Sequence, residues 1–203
     1  ICDTSGYCGD AWGDAEEAHS YVGCEYWPVA LPNTAELDPA SFDYRVVVAN
    51  PNDTVANVKV TRAGVEAWSG TVPTHGLTEI TLPWVDGLSF GIPGNDWTSI
   101  VVTGGSYRMT SDLPITAMQF NPFEYNNTST GAFSYTNDAT LLLPAHVLTG
   151  DYVGATYVPF SRSTGTTGIF PTGPDSYKYP DYIAVVGVTP EPTNVTVMVA
   201  GTT

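Results

Sequence analysis

Residues 46–60 read VVVANPNDTVANVKV, and this stretch indicates the fold class of the chain. An apolar run stops at residues 50–53, a cluster of Asn, Pro and Asp that favours a turn. From Asn57 onward apolar and polar residues alternate, which is typical of a strand with one buried and one wet face. The stretch therefore predicts two β-strands joined by a turn.

Similar short runs, separated by turns rich in Gly, Pro and Asn, follow along most of the chain. We predict strands near residues 45–49, 57–62, 77–82, 100–102, 107–109, 115–120, 141–143, 152–158, 182–186 and 195–199. No segment of ten or more residues keeps the 3.6-residue period of an amphipathic helix. These features predict an all-β protein, an antiparallel β-sandwich of jelly-roll-like form, with a barrel as the alternative.

The chain divides into three parts by its composition. Residues 1–43 form a loop-rich segment that contains every cysteine, residues 44–148 form the β-sandwich unit, and residues 149–203 add further strands. Within the last part, residues 184–199 read AVVGVTPEPTNVTVMV and repeat the pattern of residues 46–60. We interpret the repeat as the start of a second related β unit, in a native chain that continues further; chance similarity between valine-rich hairpins is the alternative.

The cysteines are few and all lie near the N-terminus, at Cys2, Cys8 and Cys24. We predict a Cys8–Cys24 disulfide that staples the N-terminal segment and leaves Cys2 to pair elsewhere. The chain begins at Ile1 rather than Met, which we interpret as a processed N-terminus after removal of a signal. Both features favour an extracellular or cell-surface protein; the alternative is a cytosolic protein with three free thiols.

The charge of the chain excludes several classes of partner. Acidic side chains outnumber basic ones 21 to 6, which gives a formal charge of −15. Neutralising phosphates needs clustered Lys and Arg, so nucleic acid and anionic membrane surfaces are excluded as partners. No run of 18 apolar residues occurs, so direct insertion into a membrane is excluded as well.

One acidic cluster is a candidate metal site. Asp10, Asp14 and Glu16 lie close together in the sequence, beside Gly9 and Gly13. Carboxylate oxygens in a flexible loop suit Ca²⁺, so these three residues are the candidate calcium ligands. The alternative is a solvated acidic loop without a cation, and no other cofactor is predicted.

The sequence lacks a recognisable arrangement for catalysis. The histidines, His19, His75 and His146, stand far apart, and no serine lies in a Gly-x-Ser-x-Gly motif. Four scattered acids could supply a carboxylate pair: Asp112, Asp138, Asp175 and Asp181. They would serve a hydrolase only if two of them met across a cleft, so we expect a protein that is not an enzyme.

Three sites beside predicted turns fit the Asn-x-Ser/Thr motif: Asn52, the overlapping pair Asn126 and Asn127, of which we take Asn127 as the candidate, and Asn194. They are candidate glycosylation sites, although chance matches are expected in a chain this rich in Asn and Thr.

The 24 aromatic residues are too many for one small core, so rings such as Trp68 and Trp84 are candidates for surface recognition, with core packing as the alternative.

Two long motifs resemble a known family. Residues 107–122 read YRMTSDLPITAMQFNP, and residues 134–144 read SYTNDATLLLP. In this order they resemble the IgGFc-binding protein N-terminal domain family, to which GCEYWPV at residues 23–29 and VANP at residues 48–51 are also similar. The resemblance implies a secreted β-rich module of large surface proteins with an adhesive role and no catalytic residues. Within the motifs we expect structural roles: a turn at residues 111–112, an edge strand opened by Pro114, and a buried run of leucines at residues 141–143.

The first hypothesis is therefore an extracellular, non-enzymatic adhesion or recognition module that binds protein or glycan through loops and exposed aromatic rings. The alternative is a structural subunit of a surface fibre or layer, which would join copies of itself through strand edges or termini.

Overall fold

The computed structural model describes residues 20–31, 43–88, 99–123, 126–127, 132–133, 139–156, 160–163, 166–167, 170–171, 175–179, 182–189 and 191–198. Within these residues the strands are β1 (Gly23–Tyr26), β2 (Tyr44–Ala49), β3 (Ala56–Arg62), β4 (Val65–Val72), β5 (Leu77–Leu82), β6 (Tyr107–Phe120), β7 (Asn126–Asn127), β8 (Ala132–Phe133), β9 (Ala139–Leu141), β10 (Phe160–Ser163), β11 (Thr166–Thr167), β12 (Phe170–Pro171) and β13 (Asp175–Tyr179). The described part also contains a 3-10 turn at Ala145–Val147 and no α-helix.

The first six strands and β9 form one antiparallel sheet of seven strands, in the order β4-β3-β6-β2-β5, with β1 and β9 also paired to β6. This sheet curls around a single core into a sandwich-like, nearly closed barrel. Three small two-stranded sheets, β7–β8, β10–β13 and β11–β12, complete the strand pairing. The prediction of an all-β, antiparallel fold is confirmed.

The long strand β6 organises the sheet. Its first part, up to Ser111, pairs with β3, and its last part, from Thr116, pairs with β2. The sequence predicted two separate strands here, and the structure joins them through Pro114. Proline lacks an N–H group, but Pro114 lies in the gap between the partners, so no ladder hydrogen bond is lost. Its carbonyl oxygen instead accepts a hydrogen bond of 2.7 Å from Asn52 Nδ2.

The core follows the alternation that the sequence predicted. Val46 and Val48 of β2 and Val58 and Val60 of β3 are buried, while the residues between them are more exposed. Strand β6 buries most of its odd-numbered residues in the same way, including Tyr107, Met109, Ile115 and Ala117. Because side chains alternate across a strand, the intervening residues of β3 and β6 share the outer face of the sheet.

Two amide side chains, Gln119 near the end of β6 and Asn121 just after it, attach the chain that follows β1. Gln119 Oε1 accepts a hydrogen bond of 3.0 Å from the backbone of Val29. The Asn121 amide accepts one from Leu31 N–H (3.2 Å) and donates one to Leu31 O (3.0 Å). Both side chains are buried. The amides of the Gln-Phe-Asn-Pro motif therefore bond the backbone of residues 29–31 in the way that a neighbouring strand would.

Several local expectations were wrong. Strand β4 was missed, because most of its residues are exposed on both faces and show no alternation. Residues 111–112 lie within β6 rather than in a turn, and Pro114 lies inside that strand rather than at its start. Leu141 and Leu143 are 42% and 50% exposed, because β9 pairs only on its β6 side.

Other predicted strands do not form in the described residues. Residues 100–102, 152–153, 182–186 and 195–198 carry no strand assignment. Each segment is mostly exposed, so the apolar content that suggested a strand has no sheet to pack on here.

The N-terminal segment contributes a strand to the sheet. Strand β1 lies within residues 1–43, pairs with β6 and is buried along its whole length. At Gly23 a Cβ atom would lie 2.4 Å from the Cβ of Pro144, so only glycine permits this approach. Cys24 takes part in a disulfide, but Cys2 and Cys8 lie outside the described residues. The predicted Cys8–Cys24 pairing and its stapling of the segment therefore stay predictions.

Candidate binding groove

A groove of about 610 Å³ crosses the outer face of β4, β3 and β6. We call it the β3–β6 groove. Its polar lining comes from residues that alternate with the buried ones: Asn57, Lys59, Ser69, Thr71, Arg108, Thr110 and Asp112. Strand register brings them together, since Lys59 lies opposite both Ser69 and Thr110.

Lys59 forms one wall of the groove together with β4. Its Nζ lies 3.1 Å from Glu66 Oε2, and Ser69 Oγ donates a hydrogen bond of 2.7 Å to Glu66 Oε1. The hydrogen bond from Ser69, followed by the contact with Lys59, lowers the pKa of the Glu66 carboxyl. Both charged side chains are about half exposed, so the pair fixes the position of the ammonium group more than it stabilises the fold.

Arg108 carries the second positive charge and joins β6 to β1. Its Nε donates a hydrogen bond of 2.9 Å to Glu25 Oε1, and one terminal nitrogen donates a second, also of 2.9 Å, to Glu25 Oε2. Glu25 is 6% exposed and also accepts a hydrogen bond of 3.0 Å from Trp27 Nε1. The Glu25 hydrogen bonds raise the pKa of Arg108. A buried carboxylate needs such a two-point partner, so this end of the groove is held in one geometry.

Asp112 and Asn57 form the other end of the groove. The carboxylate of Asp112 accepts hydrogen bonds from the backbone N–H of Asn57 (2.7 Å) and from its Nδ2 (2.5 Å). Both residues are exposed, so the unused lone pairs of the carboxylate face solvent. Asp112 was one of the acids considered for catalysis, and the structure uses it to extend the pairing of β3 with β6.

The groove presents polar side chains with little net charge. Its two cations are paired with carboxylates, and its floor offers the side chains of Ser69, Thr71 and Thr110. A surface with fixed donors and acceptors and little net charge matches the hydroxyl groups of a sugar or the backbone of an extended peptide.

Most sequence-predicted sites do not meet in this groove. The candidate calcium ligands Asp10, Asp14 and Glu16 lie outside the described residues. Among the residues that the structure describes, no group of three or more His, Cys, Asp or Glu side chains could hold a metal ion. Of the sequon asparagines, Asn127 lies in β7 and Asn194 is exposed.

Asn52, the third sequon asparagine, is committed to the fold. Its Nδ2 donates hydrogen bonds to Pro114 O and to Asn50 Oδ1, both at 2.7 Å. Asn50 is 2% exposed, and its own Nδ2 donates to Thr54 O and Val72 O. A sugar on Asn52 would have to be attached to the nitrogen that closes this loop.

Two histidines that the sequence singled out are described, and they lie apart. His75 Nε2 lies 2.8 Å from Asp53 Oδ1 in an exposed pair of loops. His146 lies in the 3-10 turn beside Gly23. His19 lies outside the described residues, as do Asp138 and Asp181, and Asp175 lies in β13.

The described aromatic residues divide between core and surface, since Tyr21, Tyr152 and Tyr182 are 54%, 68% and 48% exposed. Tyr26, Tyr44 and Tyr107 are fully buried, and Trp68 and Trp84 are partly buried against the core. Sequence reasoning missed the groove residue Arg108 and its buried partner Glu25. The signal was present, because the alternation of β6 places Arg108 on the outer face, but its partner lies 83 residues away.

A second surface feature is a set of exposed apolar side chains near the end of the sequence. Residues 182–189 and 191–198 carry large exposed apolar side chains, among them Ile183 (61% exposed), Val185 (58%) and Val197 (58%). Exposed apolar groups that cluster in one place are typical of interaction sites.

The chain matches no family model, no curated protein and no solved structure. The resemblance to the IgGFc-binding family therefore stays a prediction that depends on the quoted motifs. Within the described part of the chain, no helix is long and apolar enough to cross a bilayer.

Proposed function

We propose that this chain is an extracellular, non-enzymatic module for adhesion or recognition, and that it binds a protein or a glycan through the β3–β6 groove. The observation that carries the proposal is the groove itself. Its two cations are paired with carboxylates, Asp112 is hydrogen-bonded to Asn57, and hydroxyl and amide groups lie between these residues on a sheet surface.

Rigidity supports this function. Lys59, Arg108 and Asp112 are each held by a partner on a neighbouring strand or β1. Side chains that are already ordered lose less entropy when a ligand binds. The resemblance of the quoted motifs to the IgGFc-binding family also supports an adhesive role.

The test is to fill the groove. Thr110 lies on the groove floor, and Thr110→Arg would place a long side chain across it. We expect the wild-type protein to bind at least one component of a glycan array or an array of extracellular glycoproteins, and the variant to lose that binding about tenfold or more.

The matched control is Thr81→Arg, the same substitution at an exposed position of β5 away from the groove. It should retain binding, and thermal unfolding should show that both variants are folded. Binding that survives Thr110→Arg, or the absence of any ligand on both arrays, would contradict the proposal.

An alternative function is supported by a different observation. The exposed apolar side chains of residues 182–189 and 191–198 favour a structural subunit of a surface fibre or layer that joins copies of itself. This function makes no use of the groove, so the same arrays combined with measurements of molecular mass distinguish the two.

A further inference from the structure

Strand β4 lies at one edge of the seven-stranded sheet. It pairs with β3 along nearly its whole length, and among the described residues no strand pairs with its other side. Most of its residues are exposed. The outer N–H and C=O groups of such an edge strand are a template for a further strand, because they have no partner in the sheet.

The direction of hydrogen bonding identifies these outer groups. The backbone N–H of Asn57 in β3 donates to the Asp112 carboxylate of β6, so the backbone groups of Asn57, and by alternation those of Lys59, face β6. Asn57 lies opposite Thr71, and Lys59 lies opposite Ser69. Because such pairs do not bond each other in an antiparallel ladder, the N–H and C=O groups of Ser69 and Thr71 point away from β3.

A contact at the end of β4 agrees with this direction. Thr71 O accepts a hydrogen bond of 3.1 Å from Thr78 Oγ1 of β5, on the side away from β3. The Ser69 N–H, the Ser69 C=O and the Thr71 N–H have no hydrogen-bond partner among the described residues. The two N–H groups repeat at about 7 Å, the two-residue period of an extended chain, so the edge matches the backbone of an extended peptide.

Trp68 adds an apolar surface beside this edge. Trp68, Gly70 and Val72 share the inner face of β4, because residues two apart point the same way and Val72 is fully buried. The indole lies over Gly70, where a Cβ atom would lie 2.6 Å from the ring, and it is only partly buried against the core. Since side chains on neighbouring strands contact each other on one face, every second residue of an added strand would face this ring or the space beside it, and an apolar residue fits there.

Charge favours a basic partner. The chain carries a formal charge of −15, which accelerates the approach of cationic chains and slows that of anionic ones. The outward residues of an added strand are the ones that can be charged, because the alternate residues face Trp68.

We propose that the β4 edge binds an extended segment of another protein, which adds to the sheet as a further strand and alternates apolar with basic residues. Hydrogen bonds to the backbone of Ser69 and Thr71 supply affinity, and the alternation supplies specificity. The site differs from the β3–β6 groove, because these backbone groups point sideways from the sheet and the groove lies on its outer face. Thr110→Arg, which fills the groove, should therefore retain binding of the segment, and a loss would overturn the proposal.

The probe is a short, capped, fluorescein-labelled peptide in which valine and lysine alternate. We expect fluorescence anisotropy with the full chain to give a dissociation constant of about 1–100 µM. Two methylated forms keep its sequence and charge: one is N-methylated at every valine and the other at every lysine. Each form loses the donors of one side of the extended peptide, so one should bind about tenfold more weakly or worse, and the other should bind like the parent.

Equal binding of the two methylated forms, or no binding of the parent peptide at about 1 mM, would overturn the proposal. A peptide with glutamate in place of lysine should bind about tenfold more weakly than the parent, and equal binding would overturn the choice of a basic partner.

The matching change in the protein is Ser69→Pro, which removes an outer N–H and places a ring on the free side of β4. Proline is tolerated in an edge strand where the N–H faces away from the ladder, so the fold should persist, as circular dichroism would verify. We expect binding of the parent peptide to fall about tenfold or more. Unchanged binding would overturn the proposal, and if the variant fails to fold, the methylated peptides still decide.

The matched control is Ser69→Ala, which removes the hydroxyl group that bonds Glu66 and keeps the backbone N–H. It should bind the parent peptide within about twofold of the wild type. A loss as large as that of Ser69→Pro would assign the binding to the side chain in the groove wall and overturn the role of the edge.

Discussion

At the residue scale, the buried tyrosines connect the core to solution pH. Tyr44 is fully buried, donates a hydrogen bond of 3.1 Å to Gln119 Oε1, and packs against Trp84 and Tyr107 at centroid distances of 5.6 and 6.3 Å. Burial, and secondly the proximity of Tyr107, raises the pKa of Tyr44 well above its ordinary value. Burial also raises the pKa of Tyr26.

These shifts predict that the fold loses stability in alkali. An unfolded tyrosine releases its proton near pH 10, whereas the folded protein retains it to higher pH. The contribution of Tyr44 is therefore complete below about pH 10 and is lost as the pH rises toward its folded pKa, at up to about 1.4 kcal/mol per pH unit for each proton. Tyr44→Phe should lessen this slope of the free energy of unfolding, measured by urea denaturation between pH 8 and 11.

At neutral pH the same variant should cost about 1 kcal/mol, because it removes the hydrogen bond to Gln119. Tyr21→Phe, at a tyrosine that is 54% exposed, serves as the control and should keep the wild-type slope. If Tyr44→Phe and the wild type fall equally steeply above pH 10, burial of this hydroxyl does not control the alkaline transition.

At the element scale, β6 holds its neighbours in two ways. Ordinary strand pairing joins it to β1, β2, β3 and β9. Amide side chains extend it further, since Gln119 and Asn121 bond the backbone of residues 29–31. In this structure the Gln-Phe-Asn-Pro part of the motif that suggested the family resemblance therefore has a structural role, which is to attach residues 29–31 to the sheet.

Asn121→Ala should release that segment. The substitution leaves the N–H and C=O groups of Leu31 without their present partners, so we expect a loss of about 1–3 kcal/mol in the free energy of unfolding. Hydrogen exchange at the Leu31 amide should accelerate more than exchange in β2.

Asn57→Ala is the matched control, because it also removes an amide that bonds a neighbouring strand, but at an exposed position. We expect it to change the free energy of unfolding by less than about 0.5 kcal/mol. Unchanged protection of Leu31 in Asn121→Ala would show that the backbone, not the amide, positions this segment.

At the scale of the whole molecule, excess negative charge dominates the behaviour in solution. The formal charge of −15 makes self-repulsion sensitive to ionic strength. The predicted calcium ligands Asp10, Asp14 and Glu16 belong to this excess, and they lie outside the described residues.

The calcium hypothesis predicts a difference between two salts. Sodium chloride should raise the thermal midpoint by screening alone, and calcium chloride at the same ionic strength should raise it further, because a bound ion at about 100 times its dissociation constant adds about 2.7 kcal/mol. Asp14→Asn should remove the additional rise, whereas Asp151→Asn, at an exposed acid elsewhere, should retain it. Equal midpoints in the two salts would identify residues 10–16 as a solvated acidic loop.

The sequence predicted what depends on neighbours in the chain. The bounds 45–49, 57–62 and 77–82 nearly coincide with β2, β3 and β5, because alternation is a local property. The β3–β6 groove depends instead on the register of strands that lie about 50 residues apart. From the sequence, Asn50 could be predicted only to favour a turn. Its partners Asn52 and Thr54 in the same loop and Val72 at the end of β4 are brought to it only by the folded structure.

The central position of β6 has a consequence for how the protein is made. Its partners β1, β2 and β3 all leave the ribosome before it, and β2–β5 and β3–β4 can pair as soon as residue 82 is exposed. Strands β2 and β3 each lack a strand partner on one side until residues 107–120 arrive to pair with both. A nascent chain of about 100 residues should thus present two strand pairs with apolar sides and unpaired edges, so the interval before β6 emerges is when this protein is most exposed to aggregation and to chaperones.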